Sequence, residues 1–376
     1  MIDFRFTEEQ DMLRTAAREF AEEVIAPLVP QMEETDEMPE EILRGLGERD
    51  FLALGIAEEY GGVNLGHVAK MITIEEVSRV SVAVGMMLQV MHLGIEPIVA
   101  FGSPEQKKKY LPKLASGEHF ATVGVTEATG GSDPTGIETT ARLEGDNYIL
   151  NGRKVFITNA HVAHVAVVLA KTDEKEFSAF ILSKDMPGFR AGRWEHKVGM
   201  KGCDTGELIM EDCVVPKENM IGKPGDGLKV CMKAISEVGR AGMAAVGLGL
   251  IKACLEASTK FANERILYGK PISRLQGVQF KVADMYLDYN AGMLLSYRAA
   301  AMKDRGERCD VEMAMAKYYV TEAAVKAAKL ATEIHGGYGV MVEYATQRYL
   351  RDAAVLNPSA GTGDIQRIVM ARAALS

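Results

Sequence analysis

The sequence predicts an α+β fold class, with an N-terminal helical domain, a middle antiparallel β domain and a C-terminal four-helix bundle. Apolar residues recur at helical spacing through residues 1–119. Residues 120–224 contain short segments rich in Val, Ile and Thr, separated by glycine-containing turns, a pattern typical of antiparallel strands. Residues 225–376 show long helical patterns with short joins, which predict a bundle. We therefore divide the chain into these three domains.

Local signals predict the individual elements. Thr7 and Gln10 have the spacing of a capping box that opens the first helix, and further helical patterns cover 40–49, 67–81 and 105–114. Predicted strands lie at 139–143, 147–150, 155–158, 165–170, 179–182 and 207–214, separated by turn signals such as 144–147 and 151–152. The last third predicts helices at 228–263, 277–304, 311–335 and 346–356, and another from residue 364.

Composition and charge narrow the class of protein. A net charge of -9 argues against nucleic acid or an anionic membrane as the main partner, since both attract basic surfaces. The apolar stretch 241–250 is too short to cross a bilayer, and the polar start 1–5 predicts no signal peptide. Five scattered cysteines without a CxxC pair argue against a disulfide framework or metal site, and predict a cytoplasmic protein.

Several polar or glycine-rich segments have the composition of a ligand site. In the loop 125–133 the backbone and the hydroxyls of Thr126 and Ser132 can approach a ligand, although a plain turn is the simpler interpretation when it is taken alone. Phe156 and Thr158 are two residues apart on a predicted strand, hence on one face. Arg265 supplies a cation for a phosphate. No G-x-G-x-x-G motif follows a strand, so a Rossmann site is not supported.

Together these segments resemble the acyl-CoA dehydrogenase family, in the same order over essentially the whole chain. The resemblance is carried by the segments 104–112, 126–133, 151–159, 265–272, 335–339, 351–352 and 361–362, and by Gln276. It implies an acyl-CoA dehydrogenase-like fold, FAD as cofactor, a CoA thioester (acyl-CoA) as substrate, a homotetramer, and electron delivery to an electron-transfer flavoprotein.

The resemblance also assigns roles to residues. Thr126 and Thr158 would bind the flavin ring, with Phe156 packed on it where the family often has tryptophan. Ser132 would contact the phosphate region of FAD or CoA. Further FAD contacts, some across a subunit boundary, fall on Arg265, Tyr268, Gln276, Gly336, Gly337 and Thr362, and on Glu333, where the family usually has glutamine. Substrate contacts fall on Met86, Gln89, Val90, Gly361 and Arg240, the last of which could instead be a surface arginine.

The glutamate that removes the α-proton in this family is missing. Most members carry it immediately before a Gly-Thr pair, where this chain has Ala360, and branched-chain members carry it before an arginine, where this chain has Gly239. General-base catalysis is typically worth about 10²–10⁴-fold, so its loss affects the expected reaction. The backbone N–H of Ala360 remains available to the thioester oxygen.

Four interpretations remain open. A base elsewhere would serve an unsaturated thioester, as in the similar cyclohex-1-ene-1-carboxyl-CoA dehydrogenases, which place an aspartate near the acyl pocket. Residues 89–96 contain no aspartate, so Glu96, predicted at a solvated helix end before Pro97, and His92 are the candidate bases. Alternatively, the chain is an ordinary α,β-dehydrogenase with a deliberately substituted glutamate, a catalytically silent subunit that binds FAD and CoA, or an enoyl-CoA reductase.

Overall fold

The N-terminal domain is helical. The computed structural model describes residues 5–376; the first four residues, and with them most of the polar start, lie outside the described range. Thr7 caps the first helix through reciprocal bonds with Gln10, which confirms the capping box. The helices are α1 (Glu8–Phe20), α2 (Ala26–Thr35), α3 (Glu40–Glu48), α4 (Gly66–Val80), α5 (Val82–Phe101) and α6 (Pro104–Ala115).

The middle domain is a β-sheet of mixed direction. Its strands are β1 (Ala121–Gly124), β2 (Thr140–Glu144), β3 (Asn147–Thr158), β4 (Val165–Asp173), β5 (Glu176–Ser183), β6 (Phe189–Trp194), β7 (Thr205–Pro216) and β8 (Met220–Ile221). Their order is β6-β7-β3-β2-β4-β5-β8, and β1 also pairs with β4. Most pairs are antiparallel as predicted, but β1 and β2 both run parallel to β4.

The strand prediction omitted β1, β6 and β8 of the middle domain and placed a turn inside β3. Residues 151–152 form no turn between strands, because β3 continues through them and absorbs Gly152 as a register shift against β7. Strand β6 was not predicted, since its sequence Phe-Arg-Ala-Gly-Arg-Trp contains none of the Val, Ile or Thr that marked the other strands. Both errors arise because pairing partners override local preference in a sheet.

The C-terminal domain is helical. It contains α7 (Gly227–Ala234), α8 (Arg240–Glu264), α9 (Gln276–Asp304), α10 (Asp310–His335), α11 (Ala345–Leu356) and α12 (Gly363–Leu375), with a short hairpin of β9 (Ile266–Leu267) and β10 (Lys270–Pro271). A π-helical turn, Ile235–Gly239, joins α7 to α8 without a break. Helix α8 packs against both α4 and α10, so the two helical domains share one hydrophobic core.

Within residues 5–376, two helical units are long and apolar enough to cross a membrane, namely α5 and the joined unit Gly227–Glu264. The second contains the apolar stretch 241–250 and agrees with the helix predicted over 228–263 to within one residue at each end. Both units are largely buried inside the protein, as core helices are. All five cysteines are also buried, and none forms a disulfide within residues 5–376.

Candidate active site

A buried ion pair closes the glycine-rich loop between β1 and β2. The Glu127 carboxylate accepts hydrogen bonds from the Glu138 and Thr139 amides and from the Thr139 hydroxyl, and Lys154 Nζ lies 2.6 Å from Glu127 Oε1. Burial alone would raise the pKa of Glu127, but Lys154 and these donors hold it below its ordinary value. Glu127 therefore fixes both ends of the loop that carries Thr126 and Ser132.

The loop and strand β3 bring the predicted flavin-ring residues together. The Thr126 carbonyl accepts a hydrogen bond of 2.9 Å from the Val155 amide, beside Phe156. Strand β3 is bulged here, since the register shifts between Lys154 and Ile157 and Phe156 has a φ of 59°. Ile157 is buried, whereas Thr158 is partly exposed and Phe156 is 67% exposed.

These residues fit a flavin ring. Neither Thr126 nor Thr158 uses its hydroxyl in a hydrogen bond to any other residue described in the chain, so both can serve a ligand. A positive φ is an outlier for a bulky residue such as Phe156, and backbone strain of this kind clusters at ligand sites. Ser132 is exposed on the neighbouring loop, where it too is accessible.

Helix α5 connects this strand to the missing-base position. Asn159, just after β3, donates to the Met87 carbonyl at 3.1 Å, and Gln89 donates to the Gly239 carbonyl at 3.1 Å. The predicted substrate residues Met86, Gln89 and Val90 are all buried. Helix α5 is thus bonded on one of its sides to the strand that carries Phe156, and on another to the π-helical turn that ends at Gly239.

The two glutamate positions of the family coincide in space. A Cβ atom built on Gly239 would lie 3.5 Å from the Cβ of Ala360, although most of the C-terminal domain separates the two residues in sequence. A glutamate at either position would therefore deliver its carboxylate to the same region. Gly239 ends a π-helical turn, a feature frequent at functional sites, and Ala360 has a φ of 51°.

A buried lysine holds the turn that carries Ala360. Lys317 Nζ, on α10, donates to the carbonyls of Asn357 at 2.7 Å and Gly361 at 2.9 Å. Gln366 donates to the Gly361 carbonyl from the other side at 3.0 Å. Thr362, predicted to bind FAD, caps α12 through the amide of Ile365 at 3.4 Å. The turn is therefore rigidly placed by groups on two helices.

Arg240 is not a surface arginine. Its side chain is buried at 9% exposure, Nη1 donates to the Asp310 carbonyl at 3.2 Å, and Nε has no partner within residues 5–376. Burial lowers the pKa of Arg240 from its ordinary value, while Asp310 opposes the shift. The alternative that Arg240 is a surface arginine is therefore excluded. Arg240 is a buried cation directly after Gly239, one of the two positions at which the family's glutamate is missing.

The sequence predicted that Glu96 lies at a solvated helix end, and this prediction is wrong. Glu96 lies within α5, is only 6% exposed, and faces Lys70 Nζ at 3.7 Å from Oε2. Leu93, one turn earlier, has its Cδ1 3.6 Å from the Cβ position of Gly239. Glu96 therefore lies about 5 Å further along the helix axis than Leu93. Its buried carboxylate is one helical turn beyond the residue that contacts the Gly239 position.

His92 is a poor candidate base. Burial and Lys70 hold the pKa of His92 well below its ordinary value, so the ring is neutral and accepts a proton weakly. Burial also lowers the pKa of the neighbouring His67 to about 2. Both rings and Gln89 line a cavity of about 10 Å³, and the Nε2 atoms of both histidines have no partner in the described chain. These observations make His92 a weaker base than an ordinary imidazole.

The remaining predicted FAD residues form a separate outer group. The Arg265 guanidinium lies 5.4 Å from the ring centre of Tyr338, and Tyr268 is 90% exposed. Gln276 begins α9 and is exposed, as are Gly336 and Gly337, where a Cβ would meet nothing within 4 Å. This open surface contains no described contact to Phe156, so the predicted FAD residues form two separate groups within one chain.

Glu333, the departure from the family's glutamine, is neutralised by its neighbours. It pairs with Lys281 on α9 and lies 3.9 Å from Lys329. Lys281 holds the pKa of Glu333 below its ordinary value, so the carboxylate stays charged but paired. The added negative charge is therefore compensated locally.

Sequence reasoning missed three positioning groups. Glu127 and Lys154 lie in the segments 125–133 and 151–159, which were singled out in the sequence for other residues, and the pair was given no role. Lys317 stands among the alanines of 314–327, where a lysine on the buried face of a helix was an available signal. Asn159 was included in the motif but given no role.

The chain is similar in sequence to known proteins. Sequence models of the N-terminal, middle and C-terminal domains of acyl-CoA dehydrogenases match residues 7–118, 122–213 and 225–375. The "Acyl-CoA dehydrogenase" of Bacillus subtilis is 42% identical over 97% of this chain and 98% of its own. The "3-(aryl)acrylate reductase" of Clostridium sporogenes is 39% identical with the same coverage.

Solved structures agree over the whole chain. Butyryl-CoA dehydrogenase from Megasphaera elsdenii superposes with a TM-score of 0.98 at 33% identity, covering 100% of both chains. A chain from a study of the electron transferring flavoprotein of Acidaminococcus fermentans has a TM-score of 0.98 at 41% identity, with the same coverage. An acyl-CoA dehydrogenase from Bacillus anthracis complexed with FAD has a TM-score of 0.94 at 32% identity, covering 100% of this chain and 68% of that one.

The fold and site define a flavin-dependent oxidoreductase that acts on CoA thioesters. The chain belongs to the acyl-CoA dehydrogenase family, and its cofactor is FAD. Thr126, Phe156 and Thr158 would hold the flavin ring, which supplies a hydride acceptor or donor.

Proposed function

We propose that this protein oxidises an α,β-unsaturated, cyclic CoA thioester similar to cyclohex-1-ene-1-carboxyl-CoA, with Glu96 as a relocated base. The observation that carries the proposal is the coincidence of Ala360 and Gly239 at one place without a carboxylate. A saturated thioester needs a base beside C2, whereas conjugation makes the γ-protons of an unsaturated thioester acidic. The proton to be removed then lies further from the thioester.

The proposed reaction assigns a step to each group. The base takes a γ-proton, the electrons of that C–H bond enter the conjugated system, and hydride leaves from the second β-carbon of the ring. The ring thereby loses two hydrogens and gains one double bond, with FAD as the acceptor. The backbone N–H of Ala360 would bind the thioester oxygen, where negative charge develops. Glu96 supports this role because it is a buried carboxylate on α5, one helical turn beyond Leu93, which contacts the Gly239 position.

Substrate preference tests this proposal. With an artificial electron acceptor, we expect turnover of cyclohex-1-ene-1-carboxyl-CoA to exceed that of butyryl-CoA by about 10²-fold or more, since only the former avoids the missing base. The measurement is kcat/KM for both thioesters on flavin-loaded protein. Equal or faster turnover of butyryl-CoA would contradict the proposal.

A second prediction isolates Glu96. We expect Glu96→Gln to lower kcat by about 10²-fold while the KM stays within about threefold, because a base acts in the reaction more than in binding. Since the substitution removes the partner of Lys70, flavin content and melting temperature are measured together with the rate. Glu105→Gln on the exposed start of α6 is the matched control and should change none of them. An unchanged rate in Glu96→Gln would exclude this residue.

The reduction of an enoyl-CoA is the second candidate function. It is favoured by the 39% identity to a 3-(aryl)acrylate reductase and by the two buried cations, Arg240 and Lys317, near the empty carboxylate position. In this direction hydride adds to C3 and the resulting enolate needs only a weak acid. Anaerobic mixing of dithionite-reduced protein with cinnamoyl-CoA distinguishes the two functions, since fast reoxidation of the flavin supports reduction.

We also propose that the protein works as a cytoplasmic homotetramer that delivers electrons to an electron-transfer flavoprotein. Large apolar side chains are exposed on α9 and after α10, namely Phe280, Tyr286, Leu287, Leu294, Val340, Met341 and Val342, which supports burial between subunits. The structural similarity to a chain studied with an electron transferring flavoprotein supports that partner. Sedimentation showing a monomer in the flavin-loaded state would contradict the tetramer.

A further inference from the structure

One buried cation, Lys317, binds the turn that carries Ala360, and a second, Arg240, lies near enough to act on the charge of Lys317. Lys317 on α10 is fully buried, and Arg240 at the start of α8 is nearly so. In the described part of the chain neither forms an ion pair with a carboxylate; both donate instead to backbone carbonyls. A buried charge without a counter-charge is expensive, so a neighbouring anion is expected to stabilise it.

The nearby carboxylates are engaged elsewhere. The charged groups that act on Lys317 are Glu322 on the same helix and Arg240 on α8. Glu322 accepts a hydrogen bond from the Asn357 amide, and the Asp310 carboxylate, which acts on Arg240, binds Arg308 at 2.7 Å. Burial, partly offset by Glu322, lowers the pKa of Lys317 to about 8, so it remains protonated at neutral pH. The site is therefore positively charged on the side where a carboxylate is missing.

We infer that Lys317 is a positioning residue that fixes the Ala360–Gly361 turn and stabilises the anionic, enolate form of a bound thioester. Its ammonium group binds the Gly361 carbonyl, one residue from the Ala360 N–H that faces the thioester oxygen in the proposed function, on which this inference rests. Both candidate reactions place electrons on that oxygen, whether a γ-proton leaves or hydride adds to C3. A cation held several ångströms away, out of water, favours that state over the neutral thioester.

Acetoacetyl-CoA is a probe that separates enolate stabilisation from turnover. Its C2 proton is acidic, and its enolate stacked on oxidised flavin absorbs at long wavelength, so a pH titration of that band measures the pKa of the bound ligand. We expect Lys317→Met to raise this pKa by about one unit or more, because it removes a buried charge near the enolate. Lys317→Gln, which keeps donors without charge, should raise it similarly and carries the test if the methionine variant does not fold. Lys326→Met, on the same helix as Lys317, removes an exposed charge paired with Asp288 of α9 and should leave this pKa unchanged.

Positioning is measured independently of flavin by hydrogen exchange. We expect the amides of residues 357–366 to exchange at least about tenfold faster in Lys317→Met than in Lys326→Met, since the loss of each anchoring bond lowers the local opening energy. An unchanged ligand pKa in both Lys317 variants, or unchanged exchange of the turn, would overturn the inference. If the wild-type protein binds neither flavin nor thioester, the proposed function is refuted. If the turn nevertheless exchanges faster in Lys317→Met than in Lys326→Met, Lys317 remains the anchor of the turn.

Discussion

Ala360→Glu is expected to create α,β-dehydrogenation of a straight-chain saturated thioester such as butyryl-CoA, with a gain of about 10²–10⁴-fold in kcat. The substitution restores a carboxylate at the place where most of the family carries its base. Ala360 already adopts a left-handed φ of 51°, so the backbone strain of a non-glycine residue is present before the substitution. The measurement is steady-state turnover of butyryl-CoA with an artificial acceptor.

The coincidence of the two positions supplies a matched variant. Gly239 has helical φ and ψ, and a Cβ there would meet its neighbours at 3.5–3.8 Å, which is ordinary contact. Gly239→Glu should therefore also increase butyryl-CoA turnover, whereas Gly239→Ala, which fills the same space without a carboxylate, should not. If neither glutamate variant gains activity while both bind flavin and thioester, the shared region does not face C2 of the substrate.

Local signals made the helical parts of the fold predictable. The helices that were predicted with bounds begin and end within a few residues of them, because amphipathic spacing and caps such as Thr7 are encoded locally. Helices α2 and α5 were covered only by the general prediction that the first third is helical. Strand β6 and the continuity of β3 through Gly152 were not predictable in this way, since both depend on pairing with β7. The resemblance to a family placed the missing base, which no local pattern indicates.

The candidate site shows where sequence reasoning stops. Thr126, Phe156, Ala360 and Gly239 could be named from motifs, but their spatial relationship could not, because it depends on α5 joining Asn159 to the π-helical turn. Glu96 was misplaced for a physical reason: proline normally disfavours a helical residue before it, yet Pro97 lies inside α5. Packing against Lys70 and the core outweighs that local preference.

Glu127→Ala is expected to destabilise the protein by about 3–5 kcal/mol and to abolish retention of FAD. The substitution leaves Lys154 Nζ buried without its anion and releases the Glu138 and Thr139 amides that the carboxylate binds. The loop that carries Thr126 and Ser132 then loses the closure between its two ends. Chemical denaturation measures the stability loss, and the absorbance ratio of flavin to protein measures retention.

An exposed ion pair of the same sheet provides the control for burial. Arg190 on β6 and Glu211 on β7 are both exposed, and Arg190 Nη2 lies 3.3 Å from Glu211 Oε1, so Arg190→Met should cost less than about 1 kcal/mol and retain FAD. The double variant Glu127→Gln with Lys154→Met removes both charges and should recover at least half of the stability lost in Glu127→Ala, because most of that loss is an unpaired buried charge. If the double variant is as unstable as the single one, the hydrogen bonds of Glu127 to the loop, and not its charge, hold the flavin-binding strand and loop together.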